Sequence, residues 1–190
     1  MSKTAIVKVL GISGSLRKTS HNSAALRTAG ELMPEGMTLA SAEISDFPLY
    51  HDDIRLQGYP PPLQRFRAEI AAADAILFAT PEFNWSIPGV LKNAIDWASR
   101  PPDQPFSGKP YAIIGAASGI LGTARAQFHL RQICTSLDMI PVVKPEVFIT
   151  FAATRFDAEG RLVDQATRDT IAQLMSNLRD WTLRLRRSKT

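Results

Sequence analysis

The sequence predicts an α/β domain in which a parallel sheet is covered by helices. Two observations carry that prediction. Short apolar runs of strand length alternate five times with longer amphipathic segments along the 190 residues. The first run also leads into a loop rich in small and hydroxyl-bearing residues, Gly11-Ile12-Ser13-Gly14-Ser15-Leu16-Arg17-Lys18-Thr19-Ser20-His21-Asn22, ahead of a helical pattern. A strand ending in such a loop before a helix is where α/β sheets offer free backbone N–H groups to an anion.

Each element has its own signal. Residues 5–12 read as a buried first strand, and 22–33 as a helix, because Ala25, Leu26, Ala29 and Leu32 recur at helical spacing. Residues 37–44 fit a second strand. A helix over 63–72 follows the breaker Pro60-Pro61-Pro62, and 73–80 form a third strand. Residues 88–99 are helical, with Pro88 in the first turn where its missing N–H does no harm. Residues 111–117 are a fourth strand and 121–137 a long helix. Val142 and Val143, with 147–150, suggest a fifth strand broken by Pro145, and 165–187 a closing helix. No repeat, low-complexity tract or linker divides the chain, so one domain over 1–190 is expected, with a basic tail at 184–190. Five β-α units leave two arrangements open, a flavodoxin-like order or a truncated dinucleotide-binding half. In both, a ligand sits beyond the carboxyl ends of the strands.

Composition narrows the function classes. Hydrophobic residues make up 45% and charged residues 21%, the ordinary globular range. No apolar run approaches the ~20 residues of a membrane span. The start, Met1-Ser2-Lys3-Thr4, has no secretory h-region, and the single Cys134 rules out an internal disulfide, so a reducing, cytoplasmic setting is expected. The net charge of +4 is unevenly placed. Residues 1–95 hold nine Lys/Arg and nine Asp/Glu, whereas 96–190 hold thirteen and nine, with Arg184, Arg186, Arg187 and Lys189 clustered at the end. Such cations complement the dipole of a last helix, and without interleaved aromatics they predict no nucleic-acid partner.

Three loops lie at predicted strand ends. The first has neither the GxGxxG nor the GxxxxGK[ST] spacing, so it signals phosphate without signalling a dinucleotide or a nucleoside triphosphate. The third-strand loop, Thr80-Pro81-Glu82-Phe83-Asn84-Trp85-Ser86-Ile87-Pro88-Gly89, combines flat apolar rings with polar edges inside a proline-stiffened turn. Those features suit a planar, partly polar ring; a rigid turn packing its aromatics on the core is the equal alternative. The fourth-strand loop contains Ser118 and Gly119, which permit close approach of backbone to a ligand, and Gly122. Cys134 lies in an amphipathic helix far from the anion loop and reads as a core thiol. Asp52 and Asp53 read as a solvated turn, and Lys92 with Asp96 as an ion pair on one helix.

Two motifs carry a family likeness: Gly14-Ser15-Leu16-Arg17-Lys18 with Ser20 and Asn22, and Pro81-Glu82-Phe83-Asn84 with Ser86, Pro88-Gly89 and Leu91-Lys92-Asn93-Ala94-Ile95-Asp96-Trp97. Together they resemble the NADPH-dependent FMN reductase family, most closely its bacterial chromate and quinone reductases. The resemblance implies a flavodoxin-like fold, a five-stranded parallel sheet of order 2-1-3-4-5 with helices on both faces. It implies FMN as cofactor, NADPH or NADH as co-substrate, and a homodimer or homotetramer. It places the FMN phosphate at Ser13, Ser15, Arg17, Ser20 and Asn22, and the isoalloxazine at Pro81, Glu82, Phe83 and Asn84, with Ser118 and Gly119 opposite. Phe83 departs from the family's usual tyrosine. The implied activity passes hydride from the nicotinamide through FMN to a small acceptor (a quinone, free flavin, azo compound or chromate), with the chemistry on the flavin and no catalytic side chain or metal. The alternative is a non-enzymatic FMN electron carrier, against which the basic charge argues.

Overall fold

The computed structural model describes residues 6–188. Residues 1–5, including the start of the expected first strand, and residues 189–190 of the basic segment lie outside the described residues. The elements run β1 (Val7–Ser13), α1 (His21–Glu31), β2 (Met37–Ser41), α2 (Asp52–Leu56), α3 (Pro61–Ala72), β3 (Ala75–Ala79), α4 (Gly89–Ala98), β4 (Pro110–Ala116), α5 (Ala124–Ser136), β5 (Ile140–Pro141), β6 (Val147–Ile149), a 3-10 turn at Ala152–Thr154, and α6 (Gln165–Arg187).

The strands pair in parallel in the order β2-β1-β3-β4, with β5 and β6 both alongside β4. This is the flavodoxin-like order 2-1-3-4-5, and it settles the arrangement that the periodicity leaves open. Side chains alternate across the sheet. Ala75, Leu77 and Ala79 of β3 pack towards α1 and α6, with Ala25, Leu26, Leu174 and Leu178. Ile76 and Phe78 pack towards α3, α4 and α5, with Phe66, Ile70, Leu91, Ile95 and Leu130. A strand buried on both faces needs an unbroken apolar run, which residues 75–79 supply.

Several elements differ from expectation, among them β2, which ends at Ser41 rather than 44. The first part of the fifth strand is Ile140–Pro141 rather than Val142-Val143. The Val142 N–H still reaches the Tyr111 carbonyl at 2.8 Å, after which the chain leaves the edge and rejoins it at Val147. Pro145 has no N–H to give a ladder there. Helix α5 starts at Ala124 rather than 121, because Gly122 (φ +52°) and Thr123 (φ +73°) are left-handed. A Cβ on Gly122 would stand 2.7 Å from the Phe148 carbonyl carbon, so this turn seats directly on β6. Asp52 and Asp53 open a short helix, α2, where a solvated turn was expected. Five residues are too few to show a helical period.

Expected details hold elsewhere. Lys92 Nζ lies 2.7 Å from both carboxylate oxygens of Asp96. Asn93 and Trp97, on the same helix, both donate to the Pro48 carbonyl (2.9 and 2.8 Å) and so tie the chain after β2 onto α4. Residues 184–187 form the last turn of α6, where Arg186 pairs with Asp74 and Arg184 lies over the Trp181 ring at 5.6 Å.

Candidate functional site

The strand registers bring Ser13 beside Ala79 and Ala116 beside Ile149. The loops after β1, β3, β4 and β6 therefore open on one edge, around the point where strand order reverses between β1 and β3.

The β1–α1 loop is held from within. Ser13 Oγ lies 2.8 Å from Ser23 Oγ and accepts the Ser15 N–H (3.3 Å). Ser20 caps α1, its hydroxyl accepting the Ser23 N–H (3.3 Å), and its own N–H reaches the Arg17 carbonyl (3.1 Å). Helix geometry leaves the N–H groups of His21 and Asn22 without an intrahelical acceptor. The first turn contains no acidic residue. Arg17 is exposed and donates through Nε to Thr19 Oγ1 (2.8 Å), leaving the rest of its guanidinium fork for a ligand. Hydroxyls, free amides and a guanidinium at a helix N-terminus form a donor set that fits a phosphate monoester.

Two neighbours of this end have other partners as well. The His21 ring stacks on Phe156 at 4.6 Å. Burial, and then the nearby Arg17 charge, hold its pKa below the ordinary 6.5. Asn22 is buried and spans α1 to β4: Nδ2 donates to the Ala116 carbonyl (2.9 Å) and Oδ1 accepts the Ala116 N–H (2.8 Å). One Asn22 N–H remains after that double bond.

The β3–α4 loop forms a flat end. Phe83 and Ser86 exchange N–H···O bonds (2.9 and 3.0 Å) around Asn84 (φ 49°) and Trp85 (φ 66°). Two consecutive left-handed residues match a type I′ turn. Asparagine tolerates that conformation, whereas a bulky tryptophan there costs on the order of 1–3 kcal/mol. Phe83 is 56% exposed and Trp85 67%. Glu82, by contrast, has a side chain only 7% exposed, and its carboxylate takes the Arg125 Nε–H (2.5 Å) and the Ala126 N–H (3.1 Å). It thus caps α5 from another loop, since Thr123 provides no side-chain cap. The Arg125 guanidinium also lies over the Trp85 ring at 4.6 Å, and His129 Nδ1 sits 3.1 Å from Ser86 Oγ. The aromatic turn is therefore held onto α5 at several points.

Ala116, Ala117 and Ser118 supply the opposite wall. The Ala117 N–H donates to the Ile149 carbonyl and the Ala152 N–H to the Ala117 carbonyl, both at 3.0 Å, which draws the 3-10 turn up to the same opening.

One cleft of about 330 Å³ results. Ser15, Arg17, Ser20, Asn22, Pro81, Glu82, Phe83 and Ser118 line it, together with His21, Ala116, Ala117, Ala152 and Ala153. Three residues expected in the site are not in its lining. Ser13 supports the anion loop from beneath, Asn84 forms the turn's apex, and the Gly119 carbonyl accepts the Phe151 N–H (3.3 Å). Of the lining residues not expected in the site, His21 stands beside Ser20 and its first-turn position was a signal. Ala152 and Ala153 carry no chemistry to read; only the pairing of β6 with β4 brings them in.

Comparison with known proteins agrees with the fold. The family model for NADPH-dependent FMN reductases matches residues 7–154. The chain is 59% identical over 180 residues to an NAD(P)H-dependent FMN reductase of Pseudomonas aeruginosa, covering 95% of this chain and 97% of that protein. It is 44% identical over 186 residues to an NADPH:quinone oxidoreductase of Arabidopsis thaliana, covering 95% and 94%. Among solved structures, the flavoenzyme NAD(P)H:(acceptor) oxidoreductase of Paracoccus denitrificans superposes with a TM-score of 0.86 at 33% identity, over 94% of this chain and 98% of that one.

Proposed function

The chain belongs to the NADPH-dependent FMN reductase family, and from that premise we propose that it reduces quinones at the expense of NAD(P)H, as a homo-oligomer in the cytoplasm. It is an enzyme of the FMN-dependent, NAD(P)H-using class. The observation that carries the acceptor reading is the junction, in one cleft, of a phosphate-type donor set with an exposed aromatic turn. FMN, when bound, supplies two-electron transfer between nicotinamide and acceptor.

The residues have separable tasks in this reading. Ser15, Ser20, Arg17 and the free amides of α1 hold the cofactor's phosphate, with Ser13 keeping their loop in shape. Asn22 keeps α1 against the end of β4 and adds one N–H. Pro81, Glu82, Phe83 and Asn84 border the ring on one side, with Ser118 and Gly119 opposite. Phe83 has no hydroxyl and so offers a stacking surface alone, which suits planar acceptors. No proton-transfer role is assigned to any side chain: the carboxylate lining the cleft, Glu82, already holds Arg125 and the α5 amide, and the His21 ring is stacked on Phe156. Exposed Phe83, Trp85, Ile120, Leu121 and Phe128 provide apolar area for a second copy of the chain. The single buried Cys134 suits a reducing compartment.

The test is an acceptor panel on the FMN-loaded protein with both nicotinamides, alongside sedimentation velocity. Quinones should give the highest kcat/KM. Faster turnover with azo compounds, chromate or free flavin would overturn the acceptor reading, and a monomer at assay concentration would overturn the oligomer.

A further inference from the structure

We infer that His21 is a specificity-determining residue of the cofactor site: its imidazole donates to the phosphate monoester held at the start of α1 and becomes cationic as that phosphate enters. The inference rests on the placement of the phosphate at this helix end. His21 is the first residue of α1 and lines the cleft together with Arg17 and Ser20. One face of its ring is taken, since it stacks on Phe156 with centroids 4.6 Å apart and planes 23° from parallel. Its two ring nitrogens are not taken; neither has a hydrogen-bond partner among the described residues.

Stacking alone does not ask for a histidine. A phenylalanine would pack on Phe156 without bringing a polar edge into a partly exposed position. A histidine cation is also disfavoured by the protein itself at this place. The first turn of a helix repels it, and burial and the Arg17 charge both favour the neutral ring. The other charged groups nearby are already committed. Glu82, in the same cleft, binds Arg125, and on either side of Phe156 in sequence Arg155 pairs with Asp164 and Asp157 with Arg161. The first turn of α1 has no acidic residue. A phosphate dianion supplies the missing counter-charge at the same helix end as Arg17. Protonation then gives the ring a second N–H, and an imidazolium keeps its attraction to the Phe156 face. Riboflavin, which has no phosphate, offers no such counter-charge.

The test measures FMN and riboflavin affinities of the cofactor-free protein by fluorescence titration at pH 8.5 and 6.5, for wild type, His21→Phe and His21→Gln. Proton uptake on FMN binding is read by calorimetry in buffers of different ionisation heat. The ring itself is followed by NMR, its signal assigned by comparison with His21→Phe. A ring pKa that is low in the free protein and higher in the complex makes affinity rise as pH falls between the two values. Lowering the pH should therefore tighten FMN about fivefold more in wild type than in either variant. Riboflavin affinity should stay within about twofold, and wild type should take up more protons on binding FMN than the variants do. His21→Phe keeps the stack and removes the nitrogens; His21→Gln keeps a neutral donor and carries the question if the other variant does not fold. Equal pH profiles in wild type and variants, the same response with riboflavin, or a ring pKa unmoved by FMN would each overturn the assignment. If Arg17→Ala combined with Ser15→Ala leaves FMN affinity unaltered, the phosphate placement itself fails, and that result is distinct from all of these.

Discussion

Asn22 and Ala116 exchange two hydrogen bonds across 94 positions of sequence, side-chain amide to backbone, at 2.9 and 2.8 Å. The contact fixes the first turn of α1 against the last residue of β4, so it sets the spacing between the β1–α1 end of the cleft and its far wall. Asn22→Ala strands the buried N–H and C=O of Ala116 together. The cost should be about 2 kcal/mol in urea unfolding of the cofactor-free protein, with unchanged m-value. A change under about 0.5 kcal/mol, ordinary for a surface position, would mean that the bonds are not a structural tie.

Arg17 is the complementary case. Its side chain is exposed and hydrogen-bonded to Thr19, and its backbone bonds to Ser15 and Ser20 do not depend on the side chain, so Arg17→Ala should leave stability nearly unchanged. FMN affinity should fall about tenfold through loss of a charge-assisted contact to phosphate. The loss should shrink as ionic strength rises. Titration at two salt concentrations checks both statements; unaltered affinity would remove Arg17 from the phosphate end.

His21 should make stability depend on pH. Its pKa in the folded protein is lowered by burial, then by Arg17. Below the ordinary 6.5, the unfolded chain therefore binds a proton more readily than the folded one. The stabilisation is complete above that value and is lost as pH falls through the folded pKa. Unfolding of the cofactor-free protein between pH 7.5 and 5 should show wild type losing stability relative to His21→Phe, which keeps a ring against Phe156. Parallel curves would refute this account.

Cys134 should be inert in the native state. It is fully buried on α5, and desolvation pushes its thiol up to about 12. Iodoacetamide at pH 8 should label it only in denaturant, as read by intact mass. Rapid labelling of the native protein would show that α5 opens locally.

Much of this was legible in the residues. The apolar runs within 73–80 and 111–117 foretold strands covered on both faces, and the small-residue loop 11–22 foretold a strand-to-helix turn. Eight residues expected in the site line one cleft. Other features had no local signal. The five residues of α2 show no period, and the late start of α5 depends on a turn packed against Phe148, far along the chain. Asn22 enters the expected site through the family resemblance; its bond to Ala116 appears only when α1 lies across β4. Glu82 has the same character, since nothing near it in sequence announces that it caps α5.

The sequence by itself determined the alternation of strands and helices, the phosphate-type loop and the aromatic turn, because hydrophobic period, capping chemistry and turn preference act over a few neighbouring residues. The tertiary structure alone decided which hydroxyls and amides face the cleft and which are used up inside the protein. It also decided that Arg125 serves Glu82 and Trp85 together, and that Ala152 and Ala153 close the far wall. Those outcomes depend on where strands of distant sequence lie side by side, and a hydrogen-bonding group is free or spent only once its neighbours are in place.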